Sequence, residues 1–177
     1  MARIYLLDIK KLSIEDSENI KDKKREEFVF SINDENRRKQ SFFVWKLLEY
    51  ALNDMCVKSF SFDVNNGRWF LTNNEVYFSL SHSFDMVVVA ISSDFIGVDI
   101  EIVSDKLLKL QKRYLNGDKE KVCIKSLAEC FTKEEAHFKA QKVMDNNTFF
   151  VKDNSEREYC LSVSTNEEIE LIKIDKL

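Results

Sequence analysis

The sequence predicts an α+β fold of two similar halves packed together as a pseudo-dimer, each half a small, mainly antiparallel sheet with helices. Two observations predict it. Stretches of period-two alternation and of three-and-four spacing follow in the order strand, helices, strands, then strands, helices, strands. Apolar residues make up 44% of the 177-residue chain and charged residues 33%, which supplies a buried core in a chain of single-domain size. The halves are expected to cover residues 1–84 and 85–177. No residue-level repeat accompanies this symmetry.

The elements follow from local pattern. Ile4 to Ile9 is short, apolar and β-branched, a strand. Residues 14–30 are charged with sparse apolar positions, which predicts a surface helix. Asn33-Asp34 offers an N-cap to a stronger helix over 35–52, where Phe43, Leu47, Tyr50 and Ala51 recur at three and four. Residues 59–64 alternate as a strand, and Asn65-Asn66-Gly67 is the clearest turn signal. Strands are expected over 76–80, 86–92 and 95–103, then helices over 105–115 and 119–143, the second interrupted near its start. The tail, at 148–151, 158–164 and 169–174, resembles a small antiparallel sheet.

Composition removes several function classes. The chain has no proline and three glycines (Gly67, Gly97 and Gly117), where average usage gives roughly 9 and 12. No glycine-rich phosphate loop of either common form occurs, so phosphates must be held by side chains. A net charge of −4 argues against general nucleic-acid binding. Cys56, Cys123, Cys130 and Cys160 show no metal-binding spacing and fit a reducing compartment. With no signal-like segment and no apolar run near ~20 residues, the expectation is a cytoplasmic protein with no membrane contact.

Four short stretches carry polar chemistry. In Gly97-Val98-Asp99-Ile100-Glu101, strand periodicity puts Asp99 and Glu101 on one face, where two carboxylates repel unless a cation or strong donor neutralises them. Mg²⁺ suits such hard oxygen donors. On a predicted helix, Glu135 and Lys139 lie four apart and share a face. His82, between Ser81 and Ser83 at a strand end, can donate to a phosphate. Arg37, Arg38 and Lys39, with Lys46, form a basic helix face. Each stretch also has a plain structural reading: two solvated acids, a surface ion pair, a polar turn and a solvated basic face.

Taken in order, Phe78-Ser79-Leu80-Ser81-His82-Ser83, Gly97-Val98-Asp99-Ile100-Glu101 and Phe131-Thr132-Lys133-Glu134-Glu135-Ala136-His137-Phe138-Lys139 resemble the 4'-phosphopantetheinyl transferase superfamily, in the longer, pseudo-dimeric type that activates surfactin synthetase. Asn66-Gly67-Arg68-Trp69 looks like that family's G-K-P turn. The resemblance implies transfer of phosphopantetheine from coenzyme A to a serine of an acyl or peptidyl carrier protein by a monomer, with release of adenosine 3',5'-bisphosphate. It implies that Asp99, Glu101 and Glu135 hold Mg²⁺, in the C-terminal half. Glu135, or water beside it, would take the serine proton, and Lys139 would stabilise the departing bisphosphate. Arg68, Ser81, His82 and Lys139 would contact coenzyme A, with Arg37, Arg38 and Lys39 at its 3'-phosphate. Lys106, Lys109, Lys112 and Arg113 would dock the acidic carrier.

Three residues depart from the family pattern: Glu134 stands where the family has Lys, Phe131 replaces Trp, and Trp69 replaces the turn's Pro. Glu134 keeps open a second reading, a catalytically weak or inactive relative that binds coenzyme A or a carrier protein. A third reading is an unrelated Mg²⁺-dependent phosphohydrolase using the same carboxylates.

Overall fold

The computed structural model describes residues 1–57, 60–72, 75–114, 123–142 and 144–177, and the Lys112 side chain and Gly117 lie outside them. The elements are β1 (Ala2–Asp8), α1 (Lys23–Phe30), α2 (Glu35–Asp54), β2 (Phe62–Asn65), β3 (Arg68–Leu71), β4 (Tyr77–Ser83), β5 (Met86–Ser92), β6 (Gly97–Ile102), a 3₁₀ helix (Asp105–Leu110), α3 (Gln111–Tyr114), α4 (Ile124–Ala140), β7 (Asn146–Lys152), β8 (Glu158–Ser164) and β9 (Ile169–Ile174). The fold is α+β. No helix among the described residues is long and apolar enough to cross a membrane.

Two sheets lie face to face between two helices. The first has strand order β4-β5-β1-β9 and the second β6-β8-β7, while β2 and β3 form a separate hairpin. Alternation sorts the side chains. Tyr5, Leu7, Val87, Val89 and Ile91 turn to one side, where Phe43, Leu47, Leu48 and Ala51 of α2 cover them. Ile4, Leu6, Val88 and Ala90 turn to the other side and meet Val98, Ile100, Leu161 and Val163 of the second sheet. Leu127 and Ala128 of α4 pack on the far side of that sheet against Cys160. The layers therefore run α2, first sheet, second sheet, α4. The first sheet takes β1 and β4 from before residue 84 and β5 and β9 from after it.

Local chemistry explains most boundaries. Asp34 caps α2 by accepting from the Arg37 N–H at 2.8 Å, and Asp22 caps α1 by accepting from the Arg25 N–H at 2.9 Å. Asn66 and Gly67, at φ of 50° and 77°, make the two-residue turn between β2 and β3. Two expectations are corrected, and one strand is added. The helix expected over 14–30 is only Lys23–Phe30, because the preceding residues lack an apolar stripe to dock. Residues 68–71 form β3, pairing with β2. The tail does not make one antiparallel sheet: β7 and β8 pair with each other, whereas β9 lies parallel to β1 in the other sheet.

Candidate active site

β4 and β6 are edge strands of different sheets, and their edges meet at a seam. No backbone ladder joins them among the described residues. Instead the Ser79, Ser81 and Ser83 hydroxyls accept from the N–H groups of Val98, Ile100 and Ile102 at 3.0, 3.3 and 3.1 Å. This satisfies the outward N–H row of β6, which would otherwise be an open sheet edge. Lys139 of α4 closes the seam from the other side. Its Nζ donates to the carbonyls of Leu80 (3.3 Å) and Val98 (3.0 Å) and to Asp99 Oδ1 (2.7 Å). Gly97 makes this approach possible, because the α4 backbone fills the space a Cβ would take.

Asp99 and Glu101 emerge together on the α4 side of β6, as their spacing predicts. Asp99 is buried and accepts from Ser81 Oγ at 2.7 Å as well as from Lys139. Glu101 is half-buried and accepts from Ser83 Oγ at 2.9 Å. Burial, and then the neighbouring Asp99 charge, push the Glu101 carboxyl above its ordinary range, with the Ser83 hydroxyl pulling the other way. Among the described residues nothing bonds the second oxygen of either carboxylate. Two hard donors with one oxygen each to spare fit Mg²⁺, which commonly takes one or two protein carboxylates and fills its remaining positions with water and phosphate. Glu135 is half-buried on α4, one turn before Lys139. No cluster of three acidic, His or Cys side chains that could hold a metal ion forms among the described residues.

Beside Lys139 lies a cleft of about 300 Å³ whose walls include Arg25, Ser41, Leu80, Ser81 and His82. Arg25 is its least expected member. The residue is 7% exposed and has no carboxylate in ion-pair contact among the described residues. Its Nη2 donates to Ser41 Oγ at 2.8 Å, its guanidinium lies 4.7 Å from the Trp45 ring centre, and its Nε has no partner. Burial pulls its pKa down to about 10, which still leaves it charged at neutral pH. A buried cation with an orphan donor at a cleft wall calls for an anion.

His82 is exposed at the same cleft, where crowding by protein atoms, and then the Lys139 charge, push its imidazole below the ordinary value. It is therefore neutral at pH 7 in the free protein. The negative charge of a bound phosphate opposes that of Lys139 and raises that pKa. Phosphate-ligand affinity is then expected to fall as pH rises through the window between the free and complexed His82 values. Calorimetry in two buffers of different ionisation enthalpy should show proton uptake near neutrality, and His82→Asn should abolish it. Equal proton uptake in the variant would exclude His82 as the source.

A second cavity of about 500 Å³ adjoins Leu80 and Lys139 and is lined by Arg68, Trp69, Phe70, Tyr77 and Phe95 among others. Arg68 donates to the Phe138 carbonyl at 3.2 Å and packs 5.4 Å from that ring's centre. Ser81, His82 and Lys139 thus gather at the cleft and Arg68 at the cavity, but the Ser81 hydroxyl is committed to Asp99 and the Ile100 N–H.

Arg37, Arg38 and Lys39 are not among the residues that line either cavity. Arg37 is exposed, Arg38 donates to the Ile32 carbonyl at 2.9 Å, and Lys39 donates to the Lys10 carbonyl at 3.3 Å. The last two satisfy loop carbonyls near the start of α2. Arg25 and Lys139 are the cations that line the cleft, and the one sequence signal of Arg25 is its i,i+4 spacing from Val29, the other buried residue of α1. Glu134 is exposed and bonds Arg113 and Tyr114, which holds its pKa low; the Tyr114 hydroxyl is the stronger cause. Lys106 and Lys109 are exposed one 3₁₀ turn apart, so they share a face. No family model matches the chain, and no curated protein matches it.

Proposed function

We propose that the protein transfers the 4'-phosphopantetheine group of coenzyme A to a serine of an acyl or peptidyl carrier protein, acting as a monomer in the cytoplasm. The observation that carries this reading is Lys139, which contacts the acid pair through Asp99 and also lines the Arg25–His82 cleft. An acidic cation site and a cationic anion site that share one ammonium suit a pyrophosphate lying between them. A helix-on-sheet unit present twice in one chain favours the pseudo-dimeric type, and four free cysteines favour a reducing compartment.

In this reading the carrier serine Oγ attacks the β-phosphorus of the coenzyme A pyrophosphate. A new O–P bond forms, the bridging P–O bond breaks, and its electron pair leaves with adenosine 3',5'-bisphosphate. Asp99 and Glu101 would hold Mg²⁺, which when bound supplies charge neutralisation and alignment of the pyrophosphate. Glu135, with no hydrogen-bond partner among the described residues, takes the serine proton directly or through water. Lys139 turns its ammonium from Asp99 to the leaving bisphosphate, while Arg25 and His82 hold a phosphate in the cleft. Lys106 and Lys109 offer positive charge to an acidic carrier. Glu134 is held by Arg113 and Tyr114, so it adds no charge to the phosphate.

The test is Mg²⁺-dependent labelling of a carrier-protein panel from a fluorescent coenzyme A. Asp99→Ala is expected to lower the rate by about 10³-fold, the scale of several kcal/mol of lost transition-state charge stabilisation. Tight coenzyme A binding with no labelling of any carrier would favour the non-catalytic reading. Release of inorganic phosphate from simple esters would favour a phosphohydrolase.

A further inference from the structure

We infer that Ser81 and Ser83 are positioning residues that set the Asp99 and Glu101 carboxylates for a divalent cation, an inference that rests on the metal site of the proposed transferase. A serine hydroxyl carries one proton and two lone pairs. In each of the three seam serines one lone pair is spent on a β6 N–H. Ser81 and Ser83 then spend their proton on Asp99 Oδ1 and Glu101 Oε1, at 2.7 and 2.9 Å. Ser79 accepts from Val98 in the same way but contacts no carboxylate. Each bonded carboxylate is thereby fixed by one oxygen, with its other oxygen left to a cation. The hydroxyl dipoles also offset the repulsion between two acids that share a strand face. All three serines are buried, so these bonds do not compete with bulk water.

The two-residue repeat supplies its own control. Alanine at any of the three positions removes an acceptor for a buried N–H, so a purely structural ladder predicts three similar effects. A positioning role predicts that only two of them change the metal site. The measurement is Mn²⁺ affinity, read from the paramagnetic resonance signal of free Mn²⁺ during titration of the full chain, with and without coenzyme A. Melting temperatures are followed in parallel. The three melting temperatures should fall together. Mn²⁺ affinity should drop at least about tenfold in Ser81→Ala and Ser83→Ala and stay within about twofold in Ser79→Ala. Ser83→Thr, which keeps the hydroxyl, should recover most of the Ser83→Ala loss. Equal affinities in all variants, or an equal loss in Ser79→Ala, would overturn the positioning role while the metal site stands. A wild-type chain that binds no Mn²⁺ even with coenzyme A would overturn the metal site itself, and the positioning role with it.

Discussion

Gly97→Ala is expected to lower the melting temperature by about 10 °C and to abolish metal-supported coenzyme A binding. A Cβ at this position would stand 1.9 Å from the Ala136 carbonyl oxygen, 2.6 Å from the Ala140 nitrogen and 2.9 Å from the Ala136 carbonyl carbon. All three are backbone atoms, so no side chain can swing aside. Relief requires α4 to lift from β6 by ~1.5 Å, because carbon contacts settle near 3.5–4.0 Å. Overpacking of this kind costs about 3 kcal/mol, and about 2–4 °C is lost per kcal/mol in a chain of this size.

The same lift withdraws Lys139 from Asp99 and from the Leu80 and Val98 carbonyls, so binding fails for a geometric reason. Gly67→Ala is the comparison. Gly67 has φ of 77°, but a Cβ added there would meet nothing within 4 Å, so only the left-handed backbone is penalised, by about 1 kcal/mol. Gly97→Ala melting within about 2 °C of the wild type, less than 1 kcal/mol on that scale, would mean that α4 does not need this close seat.

How far the sequence foretells this arrangement depends on the range of the forces involved. Asp34 and the Asn66-Gly67 turn act within a few residues, so the α2 start and the β2–β3 turn are legible. Asp99 and Glu101 share a face by strand periodicity alone. β9 finds β1 from the opposite end of the chain, through edge-to-edge pairing that leaves no mark on its local pattern. The seam is half legible. Alternation in Phe78-Ser79-Leu80-Ser81-His82-Ser83 puts three serines on one face, but nothing local says that they meet an edge strand of another sheet.

The basic residues are less legible. A run such as Arg37-Arg38-Lys39 looks like an anion site because its charge is concentrated. Charge at a helix start is as readily spent on loop carbonyls, and Arg38 and Lys39 do this. Arg25 sits in a more ordinary setting, Lys23-Lys24-Arg25-Glu26-Glu27, and only docking of α1 on α2 shows which of these side chains turns inward.

That inward turn makes Arg25→Met the second large effect, with opposite signs for binding and for stability. Burial has lowered the Arg25 pKa from its ordinary value to about 10, so the folded state disfavours its charge by about 3 kcal/mol at 1.36 kcal/mol per pH unit. The sign follows from linkage. A cation whose folded pKa lies below its unfolded one destabilises the fold wherever both states are protonated, and stability recovers only as pH rises from about 10 towards the ordinary guanidinium value. The cost is therefore constant near neutrality. Methionine keeps an unbranched apolar stem against Trp45, Trp69 and Phe28 and removes both the charge and the orphan Nε. The variant is expected to melt at or above the wild-type temperature, because replacing an unpaired buried charge with an apolar group is neutral or stabilising. Anion binding is expected to move the other way. Losing a charged donor to phosphate in a desolvated cleft costs about 2–3 kcal/mol, or about 30- to 150-fold in coenzyme A affinity. Coenzyme A should then raise the melting temperature of the wild type but not of Arg25→Met at the same concentration. Calorimetry and thermal melting on one preparation check both signs. Unchanged coenzyme A affinity in a well-folded Arg25→Met protein would remove the cleft from the phosphate site, and a marked fall in stability would show that Arg25 is held for its packing.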